Sequence, residues 1–313
     1  MKVLVIGGTR LLGLAVVRRL VEGGHGVTVL SRRAAFSSPA VTYIGMDRGA
    51  GLVRLGDESF DVAIDFLGYD GASVAEALAR IPKALYVMIS SIWMTRLRPG
   101  VGVDEPIDTI DQHAVDRLPA VTRAYLSGKR EGEARVRAAR QAGRDATVVR
   151  LPIFLGDGDH TGRVEFYRRR IEDGGGVLCV DGGHNTAQVA WTEDLARSLV
   201  DWLPAGAREA IWEGLADRGL PVREVITHIA RGATRAPVLL DVPAALVAER
   251  LPVYLEHEPL WREAAVALSA RNIFAATGLR PTAPAEWLGR IRGVPDRSTL
   301  ALRTQELALI EQL

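Results

Sequence analysis

The sequence predicts an α/β fold, a doubly wound parallel sheet followed by a smaller, mostly helical C-terminal region. Three observations carry this. Short apolar runs rich in β-branched residues recur along the first 200 positions, amphipathic stretches separate them, and a glycine turn closes the first run. The runs are Val3 to Ile6, Val27 to Leu30, Val41 to Ile44, Val62 to Phe66, Leu85 to Ile89 and Ala146 to Leu151. Strands apolar on both faces require helices on both sides, which is the arrangement of a parallel sheet with crossover connections.

Between the first two runs, Leu11, Leu12, Val16, Leu20 and Val21 recur at helical spacing, and Gly23, Gly24 and Gly26 end the helix. Beyond residue 200 the pattern is mostly helical, broken at Pro221, Pro237, Pro243, Pro252, Pro259, Pro281 and Pro284, with no internal repeat. The expected division is residues 1–200 as a dinucleotide-binding domain, with a substrate-side insertion near 156–176, and residues 201–313 as a substrate-binding region.

Composition excludes several classes. With 39 basic and 38 acidic residues the net charge is +1, so no global field draws the chain to nucleic acid or an anionic membrane. Neither partner is expected. The single cysteine, Cys179, can form no internal disulfide and no cysteine-rich zinc site. No apolar stretch approaches the roughly 20 residues of a membrane helix, and the apolar N-terminus is too short for a signal-peptide core. The expectation is a cytoplasmic protein. The six histidines show no metal-ligand spacing, so no metal is expected, and P-loop and nucleophile-elbow motifs are absent.

The stretch "VLVIGGTRLLG" puts Gly7, Gly8 and Gly13 between a strand and a helix. Glycine is needed there because the backbone turns tightly and must approach a pyrophosphate held on the helix N-terminus. Gly7, Gly8, Thr9, Arg10, Leu11, Leu12 and Gly13 are therefore the cofactor contacts assigned to this turn. The place usually held by a middle glycine is Arg10. The second strand ends in Ser31, Arg32 and Arg33, without the acid that would bind the ribose hydroxyls of NAD. Three guanidiniums near one ribose repel unless an anion joins them, and arginine suits bidentate phosphate contact. Arg10, Ser31, Arg32 and Arg33 thus predict NADP in preference to NAD, the alternative being solvated surface arginines.

The fifth strand ends in Ser90 and Ser91, and "AYLSGKREGE" later places Tyr125 and Lys129 four apart on one helix face. Lysine occurs only at Lys2, Lys83 and Lys129, so a chance lysine at this spacing is rare. At these residues the sequence resembles the extended short-chain dehydrogenase/reductase family, which includes nucleotide-sugar epimerases and dehydratases and has a Rossmann fold. The resemblance implies that Ser91, Tyr125 and Lys129 are catalytic. Lowering a phenol from a pKa near 10 to about 7 takes roughly 4 kcal/mol. An ammonium at about 4 Å in an effective dielectric near 20 supplies roughly that. Tyr125 would then exchange a proton as hydride moves to or from the cofactor, with Ser91 holding the substrate oxygen.

Further matches extend over most of the chain. Asp47 matches a residue that contacts adenine, and "DFLGY", with Leu67 and Gly68, lies where the fourth strand meets the cofactor. "VVRLPIFLGDGD" resembles the strand and loop beneath the nicotinamide, with Arg150 and Pro152 in place. "QVAWTEDLARSL" and "SARNIFAATGLRPTAPAEWL" resemble later framework segments. By position, Ser91, Trp93, Phe154, Arg163 and Gln188 are assigned to substrate, and Trp191, His113, His184 and His257 lie in stretches that border it. Ile92, Trp93 and Met94 stand where dehydratases carry an acidic pair, which disfavours dehydration. The GGTR variant is shared with a subgroup that includes chloroplast stem-loop RNA-binding proteins.

Three functions stay open at this level. The first is NAD(P)-dependent hydride transfer at a secondary alcohol or ketone of a small polar substrate, such as a sugar nucleotide or natural-product intermediate. The second is a sugar or sugar-nucleotide epimerase that recycles bound NAD. The third is an RNA-binding protein on the same fold. A homodimer is also an expectation from the resemblance.

Overall fold

The computed structural model describes residues 1–33, 38–96, 118–216, 218–261, 271–294 and 300–313, so His113 and the Ser269–Ala270 start of the C-terminal match lie outside it. Along the chain run β1 (Lys2–Ile6), α1 (Leu11–Glu22), β2 (Gly26–Leu30), β3 (Val41–Ile44), α2 (Arg48–Arg54), β4 (Val62–Asp65) and α3 (Gly71–Arg80). Then come β5 (Leu85–Ser91), α4 (Trp93–Arg96), α5 (Ala120–Gln141), β6 (Ala146–Leu151), β7 (Ile153–Leu155), α6 (Arg163–Glu172), β8 (Val177–Val180), β9 (Thr186–Ala187) and β10 (Val189–Trp191). The later elements include α7 (Thr192–Trp202), β11 (Ile211–Glu213), β12 (Leu220–Pro221), α8 (Val222–Ala230), β13 (Leu239–Val242) and a helix at Leu300–Ile310.

The chain forms two contact units. The first comprises Met1–Pro152, Thr192–Leu215 and Leu268–Arg280, and the second comprises Ile153–Trp191, Ala216–Ala267 and Pro281–Leu313. A single division after residue 200 is therefore not what the contacts give. The reason is local: β11 pairs with β6, and Asn272 donates to the Leu215 carbonyl at 2.8 Å, so both segments belong with the large sheet.

In the first unit, seven strands among the described residues form a sheet in the order β11-β6-β5-β4-β1-β2-β3, every pairing parallel. The six runs read from sequence are the six longest of these strands. The seventh, Ile-Trp-Glu in β11, lies in the region expected to be mostly helical. Three residues are too short to show a period. The order reverses at β1, which pairs β2 on one side and β4 on the other. Doubly wound sheets place ligands at such a switch point, beyond the carboxyl ends of the strands. Here those ends are the Gly7–Gly8 turn and the segment following Asp65.

One apolar cluster of this unit joins Leu4, Ile6, Ala63, Tyr86, Met88 and Val148 of the sheet to Leu52 of α2, Val74 and Ala77 of α3 and Val136 of α5. Burying each large aliphatic side chain contributes about 1.5–3 kcal/mol. Helix α1 buries Leu12, Ala15, Val16 and Leu20, ends at Gly23, and is followed by Gly24 at φ +73, a conformation that glycine enters without steric cost.

In the second unit, β7 pairs β10 and β8 pairs β13, both parallel, while β9 pairs β12 antiparallel. Its core gathers Phe166, Tyr167, Leu178, Val225, Ile229, Tyr254 and Trp287. The C-terminal helix is fastened by charge. Arg170 makes a forked pair with Glu306, Arg303 bonds Glu306 at 2.9 Å and Asp173 at 2.7 Å, and the Arg170 guanidinium lies 3.4 Å from the Phe166 ring centre. Arg170 and Glu306 are both buried, so removing one charge strands the other. Glu306→Gln is expected to cost about 3–5 kcal/mol, read as a lower urea midpoint. An unchanged midpoint would show that the pair is dispensable.

Candidate active site

The glycine turn is built by close approach. A Cβ on Gly13 would lie 2.3 Å from the Gly8 Cα, so only glycine lets α1 start directly against the turn. Gly7 and Gly8 hold φ of +89 and +71, and the Gly7 amide donates to the Leu30 carbonyl at 2.9 Å, tying the turn to β2. Leu11 opens the helix at φ +38, an uncommon conformation for a branched side chain that costs of order 1–2 kcal/mol. Arg10 itself is extended, at φ −141, so its position does not require glycine, and it caps α1 without a side-chain hydrogen bond. The turn fits a dinucleotide pyrophosphate: it brings bare backbone to a helix N-terminus, and no acidic residue occupies that helix's first turn.

At the end of β2 the Ser31 hydroxyl lies 3.2 Å from that of Thr9 and accepts from the Arg33 amide at 3.4 Å. Arg10, Arg32 and Arg33 are exposed. The field of Arg10 is felt at Tyr69, beyond β4. Asp47 is exposed and caps α2, accepting from the Ala50 amide at 3.0 Å. Leu67 packs beside Gly7, and a Cβ on Gly7 would sit 3.0 Å from the Leu67 Cγ.

Lys129 is the centre of the arrangement. It is 2% exposed, and its Nζ donates to the carbonyls of Gly68 at 3.0 Å and Ile89 at 2.8 Å. It thereby joins α5 to the segment after β4 and to β5, two residues short of Ser91. Its ammonium is 5.8 Å from the Tyr125 ring centre and 4.7 Å from that of Tyr69. Burial pulls Lys129 down to about 8, opposed by Asp65 and Glu133.

Helix α5 can come this close because Gly128 and Gly132 flank Lys129. A Cβ on Gly128 would lie 2.0 Å from the Tyr69 carbonyl oxygen, and one on Gly132 would lie 2.6 Å from the Met88 Cε. Tyr125 is 40% exposed at the start of the same helix. Ser91 is half-buried, and its Oγ accepts from the Trp93 amide at 3.3 Å. Trp93 is likewise half-buried.

Two buried charge clusters support these elements, and sequence reasoning reaches neither. Glu133 accepts from Ser90 at 2.6 Å and from Arg150 at 3.1 and 2.6 Å, binding α5 to β5 and β6. Arg150, expected beneath the nicotinamide, is committed to this pair. Asp65 accepts from the Leu67 amide at 2.8 Å, Arg48 at 2.6 Å and Tyr86 at 2.7 Å. Burial and Asp65 push the Tyr86 phenol well above its ordinary range, so it stays a donor. The resemblance places "DFLGY" where the fourth strand meets the cofactor, but the partners of Asp65 come from separate elements.

The remaining candidates divide between the units. Pro152 is buried at the end of the first unit's leading segment. In the second, Phe154 lies half-buried in β7, paired with Ala190, and Gln188 is buried between β9 and β10. Arg163 opens α6 and donates to the Thr161 hydroxyl at 2.9 Å. Trp191 stacks on Trp287 at 6.4 Å between ring centres, His184 is exposed, and His257 contacts the Val253 carbonyl at 3.0 Å. Among the described residues no acidic, histidine or cysteine cluster is arranged for a metal, and no helix is long and apolar enough to cross a membrane.

This architecture, a parallel sheet with its glycine turn at the switch point, is the Rossmann-type fold of the NAD-dependent epimerases and dehydratases. Among solved structures, the Bordetella bronchiseptica enzyme WbmH in complex with NAD+ aligns at a TM-score of 0.67, 15% identity, covering 93% of this chain and 96% of that one. The dTDP-glucose 4,6-dehydratase DesIV from Streptomyces venezuelae, with NAD and TYD bound, gives 0.67 at 19% identity, covering 93% and 95%. The Thermus thermophilus UDP-glucose 4-epimerase complex with NAD gives 0.59 at 19%, covering 78% and 86%. Among curated proteins, the chloroplast stem-loop binding protein of 41 kDa b from Arabidopsis thaliana is 26% identical over 262 residues, 72% of this chain. The match spans 66% of that relative's length. No protein-family model matches the chain.

Gly128→Ala is expected to destabilise the protein by about 1–3 kcal/mol, the usual cost of overpacking, in a urea titration. Wild-type stability in this variant would show that α5 can move off the Tyr69 backbone freely.

Proposed function

We propose that this chain is an NAD(P)-dependent oxidoreductase of the extended short-chain dehydrogenase/reductase type, acting on a secondary alcohol or ketone of a small polar substrate. The observation that carries the reading is Lys129, buried at the carboxyl end of β5, held by two main-chain carbonyls and set beside Tyr125 one helical turn away. A buried lysine hydrogen-bonded to neutral carbonyls is a costly feature for structure alone, and a natural one for biasing a phenol.

The glycine turn and the N-terminus of α1 would hold the dinucleotide's phosphates, with Thr9 and Ser31 at the ribose end. The bound nicotinamide supplies or accepts the hydride. Tyr125 Oη gives or takes the proton of the reacting oxygen, its phenolate form favoured by Lys129. Ser91 Oγ holds that oxygen by a hydrogen bond. NADP is the preferred form in this reading, because β2 is followed by exposed Arg32 and Arg33 with no acid between Ser31 and Arg33. Ser91, Trp93, Phe154, Arg163 and Gln188 keep the substrate assignment that their positions in the sequence suggest.

Epimerisation is the second reading, since solved structures with this fold include epimerases with NAD. A third, binding of a structured RNA, is favoured by the stem-loop binding relative, while the net charge of +1 counts against it. Denaturing freshly purified protein, identifying any dinucleotide released and titrating the apoprotein with NADP and NAD separates them. Exchangeable binding that favours NADP supports the reductase. Retained NAD supports the epimerase. No dinucleotide binding together with salt-sensitive RNA binding overturns both.

Tyr125→Phe should abolish turnover while leaving dinucleotide affinity within about twofold, because only a proton-transfer group is lost. Undiminished turnover removes Tyr125 from the mechanism. Arg10→Ala combined with Arg32→Ala should lower NADP affinity by about tenfold or more, the cost of a charged hydrogen bond, and leave NAD affinity nearly unchanged. Equal losses for both cofactors would assign these arginines to the pyrophosphate instead.

A further inference from the structure

Tyr69 closes the "DFLGY" stretch, and the proposed mechanism gives it no role. It follows β4 in a tight turn in which its amide donates to the Leu67 carbonyl at 2.8 Å, and its own carbonyl is pressed against Gly128. The residue is 52% exposed. The ammonium lies 4.7 Å from the Tyr69 ring centre, nearer than to the Tyr125 ring.

The surroundings of that ammonium leave few sources of compensation. Its hydrogen bonds to Gly68 and Ile89 go to neutral carbonyls. Asp65, from β4, is engaged by Arg48, Tyr86 and the Leu67 amide; Glu133, from α5, is engaged by Arg150 and Ser90. Both carboxylates favour the lysine's charge from a distance, with their own oxygens committed to other donors. The negative face of an aromatic ring attracts a desolvated cation, and it does so without donating a competing proton. Partial burial and Asp65 raise the Tyr69 phenol, with Arg10 pulling it back, so the ring remains neutral.

We propose that Tyr69 is a positioning residue for Lys129: its ring face, carried on the turn whose backbone packs against Gly128, keeps the buried ammonium charged beside Tyr125. This rests on the reading in which Lys129 activates Tyr125. A residue that only covered the helix would tolerate any apolar side chain of similar size. A residue that holds charge requires an aromatic face.

The scarcity of lysine supplies the test. Protein labelled with lysine carrying carbon-13 at Cε gives signals from Lys2, Lys83 and Lys129, assigned by Lys2→Arg and Lys83→Arg, and the Lys129 signal is followed through a pH titration of the apoprotein. Tyr69→Phe should keep the wild-type midpoint. Tyr69→Leu and Tyr69→Met should each lower it by about half to one pH unit, the fold-change equivalent of a lost cation–π contact. Equal midpoints in the wild type, Phe, Leu and Met proteins would overturn the proposal, as would a fall in Tyr69→Phe as large as in the other two. Because this readout needs no substrate, it is independent of the Tyr125→Phe turnover result. A midpoint that responds to Leu and Met while Tyr125→Phe retains turnover would uphold the Tyr69–Lys129 coupling and remove its catalytic purpose.

Discussion

The approach of α5 to the sheet is the constraint on which the rest of the candidate site depends. Two side chains are missing from one face of that helix, at Gly128 and Gly132, and the helix settles against the Tyr69 backbone and Met88. At that separation the Lys129 ammonium reaches the carbonyls of Gly68 and Ile89 together. The two glycines lower the helix's intrinsic propensity, and tertiary contact offsets that loss.

Charge placed inside the first unit serves alignment more than cohesion. The Glu133–Arg150–Ser90 group spans α5, β6 and β5, and the Asp65–Arg48–Tyr86 group spans β4, α2 and β5. Well-packed apolar residues of equal volume could match buried ion pairs for stability. What these groups add is direction. Each carboxylate oxygen has a designated donor, so the strands' carboxyl ends and the helix that overlies them are held in one register. The second unit uses the same device, with Arg170, Arg303, Glu306 and Asp173 fixing its terminal helix.

Much of this is legible in the sequence, and the limit of legibility has a physical origin. The strands declare themselves wherever four or more apolar, mostly β-branched residues run together, because burial on both faces leaves little room for polar interruption. The glycine turn is equally plain, since its geometry is dictated within seven residues. Tyr125 and Lys129 can be paired because a helix makes positions four apart neighbours. By contrast, Ile211–Glu213 is too short to stand out, and Arg48–Asp65, Glu133–Arg150 and Tyr69–Lys129 join residues whose proximity only the finished packing creates. Arg150 illustrates the difference: its place in a resembling segment suggests one role, and its buried partner on α5 gives it another.

The order in which the first unit's segments are synthesised has its own consequence. Its sheet includes Ile211–Glu213, and Asn272 closes onto Leu215, while most of the second unit's strands are encoded in between. During translation the leading 152 residues emerge with the β6 edge lacking its parallel neighbour. Exposed parallel edges recruit unwanted partners and form their contacts slowly. Completion of the first unit is thus deferred until the chain has passed residue 280, after most of the second unit's strands have been made.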